Sequence, residues 1–593
     1  MCTRPNIRLV LIPLVLLLHL RPSGLEAQRK WEASATMSLG TDFREMSSDL
    51  RNTQGEAKVS LRHQGKRLSL FGDIQATTIH QAVLETGFDM STAQDKAFSM
   101  SEDISSRITS DRNLGIRWGA SWLVRPTDTL SVKYQEDLSK NTKEKISIHM
   151  SQADVMGDIA PVLFSVSNQD ARKRNRNHNL FLSWAHRFQK KGREIRNEFS
   201  MDMGRERVTD LWDVGDLSGE LVLISSRSYR LTPHMKDNVF ILKSRYKDPS
   251  FLDVSGMDAE MSLSLRAGKD HDVLSAANHV NQQWVDSATY RQDFRYSTLT
   301  ITPMFHLSYN TDPWDVAISY TPEYFTSRLS NQTHKGHFGN GLISHLVTLY
   351  SGYRFSDRHH LSLSYERSVS RPTYLQICWF PRPGDYAHEV FEGNPHLKPS
   401  LRNRLAITYE VGKGDLKGTI EAGYTLDSRK IEKTFVPVYD KGIGIRRYTW
   451  VNGGRDATLN LSASMEGTFR SLRLVAEGNV RYFHGRDVDD EHTYSSDYSF
   501  LTEMSYTYRT WTLTLSGRYE SDIRRTYTSK TSVVGCDVRL DKKFGKFHVF
   551  LEGRNLLDRT VTTMTYSLDG ESIRSEMTIP YRRIFLAGLC CDW

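Results

Sequence analysis

The 593-residue sequence predicts an all-β protein. The expected form is a transmembrane antiparallel β-barrel of about 22 strands, with short periplasmic turns and long extracellular loops. Three observations carry that expectation. Apolar and polar residues alternate with period two in segment after segment, as in strands with one apolar and one polar face. Very short polar turns alternate with much longer polar connections. Beyond residue 27, no apolar run approaches the ~20 residues a membrane helix needs, and no domain-sized stretch keeps a helical period.

Residues 1–27 stand apart. Arg4 and Arg8 give a positive start, the run 9–20 is apolar apart from His19, and Pro22, Ser23 and Gly24 break it before Ala27. The pattern reads as a secretory signal peptide, too short and wrongly flanked for a spanning helix. Residues 28–593 are then expected to form one exported barrel domain.

The hairpins come next. Short turns are predicted at 63–66, 125–128, 190–192, 248–250, 311–313, 356–358, 413–415, 467–468, 508–509 and 542–543, each rich in Gly, Asp, Pro or basic residues. Long irregular loops are expected at 80–110, 268–291, 330–341, 373–400 and 487–495. These turns imply about twenty strands, and the flanking segments 31–43 and 584–593 raise the number to about twenty-two, an even count.

The alternation also says what surrounds the sheet. In 511–520, Trp511, Leu513, Leu515 and Tyr519 share one face, while Thr512, Thr514, Ser516, Arg518 and Glu520 share the other. Strands tend to end in Tyr, Trp or Phe, which suits the headgroup zones of a bilayer. A closed sheet pairs every backbone polar group in lipid without leaving an edge. The last strand alternates Phe585, Ala587, Leu589, Cys591 and Trp593 and ends on that aromatic. The expected location is the outer membrane of a Gram-negative bacterium, in contact with its lipid.

Charge and chemistry exclude other classes. The net charge of +8 is dispersed along the chain and does not indicate nucleic acid. The densest basic patch, Arg172, Lys173, Arg174 and Arg176, reads as a solvated loop or as a contact for anionic headgroups or sugar phosphates. Cys378, Cys536, Cys590 and Cys591 lack the spacing of a disulfide framework or a zinc site. His359 and His360 have no third ligand at metal spacing, and Asp489, Asp490, Glu491 and His492 read as a solvated acidic loop. No HExxH, GxSxG or phosphate-loop motif occurs. No enzyme, metal or cofactor is expected.

The stretch 359–405 organises the chain. Leu361, Leu363 and Tyr365 point one way, and Ser362, Ser364 and Glu366 the other. The strand breaks at Arg371-Pro372, crosses a loop rich in Pro and aromatics, and resumes after Gly393-Asn394-Pro395 and Lys398-Pro399. Proline lacks an N–H and cannot sit inside a ladder, so these prolines fence off the loop.

The run SRPTY…EGNPHLKPS in this stretch resembles the pattern of TonB-dependent outer-membrane receptors, in particular the outer membrane protein beta-barrel group common in Bacteroidetes-type bacteria. KGREIRNEF, AEMSLSLRAG, TLDSRKIEKTF, WVNGG and FLEGRNLLDRT agree in order, from Asn177 to the end. Ser400 stands where that family commonly has Glu. The resemblance implies a large barrel that transports or binds a ligand across the outer membrane. It also places Arg371, Pro372, Gly393, Asn394, Pro395, Lys398 and Pro399 at the barrel mouth, where they would meet plug or ligand. The residues themselves favour strand termination and tight turns.

Members of that family carry a plug domain between signal peptide and barrel. Here the first strand candidate starts at Trp31, so the plug is expected to be absent and a separate plug or lid protein becomes the expected partner. A terminal aromatic such as Trp593 resembles the signal that hands barrels to their assembly machinery, a second expected partner. Two other functions remain open: a passive pore gated by loops 80–110 and 373–400 folding inward, and a surface adhesin or scaffold.

Overall fold

Period-two alternation makes strands wherever a face must meet lipid, and the strands here close into a ring. The computed structural model describes residues 30–592 except 42–52, 93–97, 156–157, 160–162, 219–221, 281–282, 287–291, 333–335, 379–381, 384–388, 441–442, 487–491, 526–527, 531, 546, 558–560, 567–571 and 579–583. The segment 1–27, the acidic run 489–491 and Trp593 lie outside the described residues.

The ring begins with β1 (Lys30–Thr41), β2 (Thr53–Gln64), β3 (Leu68–Thr92), β4 (Phe98–Arg125), β5 (Asp128–Val155), β6 (Leu163–Arg187) and β7 (Glu194–Leu217). It continues with β8 (His234–Asp248), β9 (Met257–Leu274), β10 (Gln292–Thr311), β11 (Trp314–Asn331), β12 (Gly336–Ser356), β13 (His359–Ser370) and β14 (Ser400–Lys413). It ends with β15 (Leu416–Asp440), β16 (Ile443–Phe469), β17 (Leu472–Arg486), β18 (His492–Tyr508), β19 (Trp511–Glu520), β20 (Val533–Phe544), β21 (Phe547–Arg554) and β22 (Ile584–Asp592).

Each of these strands pairs antiparallel with the next. β22 closes the ring on β1, with Ser34 opposite Asp592 and Thr41 opposite Phe585. The even strand number lets first and last meet antiparallel. Shorter strands such as Leu223–Leu231 and Ala276–Val280 extend the sheet at the long-loop rim.

The short turns fall where the sequence places them, with two shifts. The turns expected at 467–468 and 542–543 lie after Phe469 and Phe544, at Arg470 (φ 56°) and Gly545 (φ 58°). Both phenylalanines are exposed and extend the apolar row by one more position.

The long loops need a larger correction. Residues 80–92 and 98–110 are not an irregular loop: they continue β3 and β4 in register, His80 opposite Ser110 and Thr92 opposite Phe98. Residues 268–274 belong to β9, 330–331 to β11, 336–341 to β12 and 492–495 to β18. Beyond the lipid both faces of a strand are solvated, so a polar sequence is compatible with a ladder held by backbone hydrogen bonds alone.

The faces are inverted relative to a water-soluble sheet. Leu361, Leu363, Trp511 and Leu513 are exposed, whereas Ser362, Ser364, Thr512 and Thr514 between them are half-buried. The exposed row is the lipid face. Among the described residues no helix is long and apolar enough to cross a membrane. Trp314, Phe355, Phe469, Tyr508, Trp511, Phe544 and Phe547 are exposed beside the short turns, forming one aromatic belt. Tyr324 and Tyr498 stand on the same outward rows as Trp314 and Tyr508. At ~3.4 Å per residue and a tilt of ~40°, the roughly ten residues between them cover about 25 Å, the height of an apolar band.

The inner rows carry charge. Arg402 pairs with Asp427 at 2.7 Å, Arg481 with Asp497 at 2.9 Å, and Arg539 with both Asp541 (2.9 Å) and Glu552 (3.3 Å). Half-exposed pairs of this kind stabilise by only about 0–1 kcal/mol each. They make a polar bore rather than a packed core.

Candidate functional site at the barrel mouth

Between β13 and β14 the chain leaves the wall and returns to it. Pro372 and Pro399 stop the two ladders, since neither can donate a backbone hydrogen bond. A single helical turn, α1 (Tyr374–Ile377), follows Thr373, whose backbone N–H donates to Gln376 Oε1 at 2.9 Å.

This turn aims the loop inward. Ile377, Cys378 and Leu397 are buried together with Phe294 of β10 and Leu329 of β11, and Tyr296, Ile431 and Trp450 pack against the cluster. Phe294 and Leu329 alternate with outward residues Leu299 and Tyr324, which places them on the inner face. Burying Leu397 or Ile377 stabilises by about 1.5–3 kcal/mol each. Apolar contact therefore outweighs any single ion pair in seating the loop.

The seven residues marked in the sequence hold this arrangement. Arg371 forms an ion pair with Glu323 of β11, and its guanidinium lies 4.5 Å over the Phe325 ring. Burial lowers its pKa from the usual arginine value, yet an arginine stays charged in proteins, so the pair remains ionic. Gly393 is buried, and a Cβ there would lie 2.5 Å from the backbone N and O of Cys378. Its N–H donates to Cys378 O at 2.6 Å. Only glycine permits so close an approach.

Asn394 ties the loop to two elements. Its backbone N–H donates to Gln376 O at 2.7 Å, and its Nδ2 donates to Trp450 O at 3.0 Å. Its Oδ1 accepts from the His396 N–H at 2.9 Å, shaping the turn through Pro395. Lys398 uses its backbone rather than its ammonium: its N–H donates to Asn452 Oδ1 at 2.5 Å, and its carbonyl accepts from Asn452 Nδ2 at 2.7 Å. Its side chain is exposed, while Pro399 is buried. The structure thus gives the seven residues structural work at the inner wall.

Three separated segments meet here. Asn452, in WVNGG, also donates to Arg429 O at 3.1 Å, which lies in TLDSRKIEKTF. Lys433 of that segment sits 3.8 Å from the Tyr448 ring centroid and 4.5 Å from that of Phe391. The loop strand Glu389–Phe391 runs parallel to 446–448 of β16. The described residues of 371–378 and 389–399, with 425–435 and 450–454, form one physical clasp. Phe294, Leu329 and Glu323 complete it, and sequence reasoning missed them because they look like ordinary inner-row residues. Elsewhere, His359 Nδ1 lies 2.7 Å from the Tyr409 hydroxyl, and His360 Nε2 lies 3.6 Å from Asp315. Both lie at the short-turn end of β13, the opposite end of that strand from the clasp.

The chain matches the family model described as "Outer membrane protein beta-barrel family" over residues 186–589. No curated protein matches it in sequence. Its fold is similar to that of the siderophore receptor PirA from Pseudomonas aeruginosa, at TM-score 0.58 and 11% identity, covering 96% of this chain and 81% of that one. The copper transporter OprC is similar at TM-score 0.61 and 8% identity, covering 97% and 82%. The ferric yersiniabactin uptake receptor FyuA from Yersinia pestis is similar at TM-score 0.55 and 11% identity, covering 96% and 81%. At these identities the likeness establishes the fold alone.

Proposed function

Because the chain belongs to the outer membrane protein beta-barrel family and lies in the outer membrane of a Gram-negative bacterium, we propose that it takes part in passing or binding a ligand across that membrane, its bore closed by a plug or lid from a partner. In this reading residues 1–27 are the export signal, residues 28–593 form one barrel domain, and the assembly machinery recognises the terminal Trp593. The chain performs no catalytic step and needs no cofactor.

The observation that carries the reading is the mismatch between ring and loop. A closed ring of 22 strands, with ~4.8 Å between strands and ~40° tilt, is about 40 Å across and is the size class whose lumen is plugged. The clasped loop reaches from β10–β11 to β15–β16 and covers one sector of the inner wall. The described contacts of that loop stay within the sector β10–β16, a fraction of the 22-strand circumference. A structural partner fits that gap.

The test is purification from native outer membranes under mild detergent, followed by conductance of the isolated barrel in planar bilayers. The proposal expects a co-purifying polypeptide and large-conductance channels once it is stripped away. A barrel recovered alone and electrically silent contradicts it. A silent barrel that begins to conduct when the loop 373–400 is deleted would favour a loop-gated pore, the second reading, which the inward packing of Ile377 and Leu397 supports.

A further inference from the structure

The outward face of β4 to β8 carries a feature that ligand passage does not use. On β4, β5, β6 and β8 the exposed row begins near the short turns with apolar residues: Trp122 and Trp118 on β4, Leu130 on β5, Trp184 and Leu182 on β6, Leu242 and Phe240 on β8; on β7, Met203 stands just below the basic positions. Followed toward the long-loop rim, every row turns basic at the same height. Arg112 lies opposite Lys140, Lys140 opposite Arg174, and Arg174 opposite Arg207. In the row below, Arg176 lies opposite Arg205, and Arg205 opposite Lys236.

The height is that of the outer interface. Roughly ten residues separate Trp184 from Arg174, and Trp122 from Arg112, so the cations stand about 25 Å from the turn-side aromatics. Both rows keep outward parity, and Arg112, Lys140, Arg174, Arg205, Arg207 and Lys236 are all exposed. These are strands, not the solvated loop expected for 172–176.

Two cations of the patch are already balanced: Arg176 by Glu136 at 2.8 Å and Arg172 by Asp170 at 2.9 Å. Among the described residues, no carboxylate lies within ion-pair distance of Arg112, Lys140, Arg174, Arg205, Arg207 or Lys236. Like charges directly opposite one another destabilise a sheet, so this row costs folding free energy unless an anion sits over it. Between the two rows lies a shallow groove of about 570 Å³, whose lining includes Arg112, Leu114, Leu138, Lys140, Arg174 and Arg207. It has an apolar floor and a cationic rim.

We propose that this outward belt binds the phosphate groups of a phosphorylated glycolipid of the outer leaflet, with acyl chains along the apolar rows and phosphates in the fork of the arginines. The occupant follows from continuity: the groove opens from the lipid-facing band, so a molecule with chains below and phosphates above fits both halves. Guanidinium groups match phosphate in bidentate geometry, and clustered Lys and Arg beside a membrane band recognise anionic headgroups.

The test titrates the purified full-length barrel with lipid A in detergent micelles, in its bis-phosphorylated and dephosphorylated forms. The wild type should bind the phosphorylated form at least about tenfold more tightly. Equal binding of the two forms overturns the proposal, and this arm needs no variant. Full displacement of the lipid by millimolar inorganic phosphate also overturns it, since a lipid site owes part of its affinity to the chains. A second arm uses the combined variant Lys140→Gln, Arg174→Gln, Arg205→Gln, Arg207→Gln, checked for folding by heat-modifiable gel mobility. It should lose the preference for the phosphorylated form, while the lumen-facing variant Arg402→Gln, Arg404→Gln keeps it. A folded variant with unchanged preference contradicts the assignment.

Discussion

The sector β10–β16 and the sector β3–β7 solve the same problem in opposite ways. Around the clasp, β13 and β14 are short, 12 and 14 residues, because the chain leaves the wall at Ser370 and returns at Ser400. The excursion folds inward onto an apolar cluster. In the other sector the strands run 24 to 28 residues without leaving the sheet. There the outer parts are held by backbone pairing and polar cross-strand contacts, such as Ser147 with Ser167 at 2.8 Å and Gln169 with Asp210 at 2.9 Å. A loop that turns into the lumen needs buried Leu and Ile to offset its ordering entropy. A strand that continues upward adds a ladder bond for each residue it orders and needs no core.

Substitutions in the clasp should therefore have large, local effects, and those in the upright sector small ones. The largest is expected for Leu397→Ala, which leaves a cavity among Phe294, Leu329 and Ile377 and should cost the seated loop about 2–5 kcal/mol. Limited proteolysis should then cut within 371–399 while the barrel keeps its heat-modifiable mobility. Gly393→Val comes next. Its Cβ would overlap the Cys378 backbone, costing about 1–3 kcal/mol by overpacking, and the same protease assay should register it. Asn452→Ala removes hydrogen bonds to both Lys398 and the Arg429 carbonyl and should cost about 1–3 kcal/mol, with loop release in milder denaturant than wild type. Ser147→Ala should change denaturant resistance by less than about 1 kcal/mol, because the ladder around it survives. A large effect there would break the comparison.

The same contrast explains what the sequence discloses. Lipid imposes period two on one face, so Leu361, Leu363, Trp511 and Leu513 announce strands, and the turns between them reveal the strand number. Past the bilayer that constraint ends. The stretch 80–110 is rich in Ser, Thr, Asp and Gln and reads like a loop, although Leu84, Phe88, Met90, Phe98, Met100 and Ile104 keep one parity and its described parts, 80–92 and 98–110, pair as a ladder. The basic run 172–176 reads as a loop for the same reason, yet alternate residues there face opposite sides of a strand, Arg174 and Arg176 outward and Lys173 inward to Glu206 at 2.7 Å. In the clasp, Pro372, Gly393 and Pro399 are legible because their backbone chemistry is unusual. Leu329, Phe294 and Glu323 are not, because nothing local marks an inner-row residue that a distant loop will cover.

The loop is seated against the inner wall through Ile377, Cys378 and Leu397. Cys378 reports on it directly, being 1% exposed within the cluster. Maleimide labelling of the barrel in native outer membranes, read by peptide mass spectrometry, should find Cys378 protected in the wild type and reactive in Gly393→Val. Rapid labelling of wild-type Cys378, equal to that of the variant, would contradict the account.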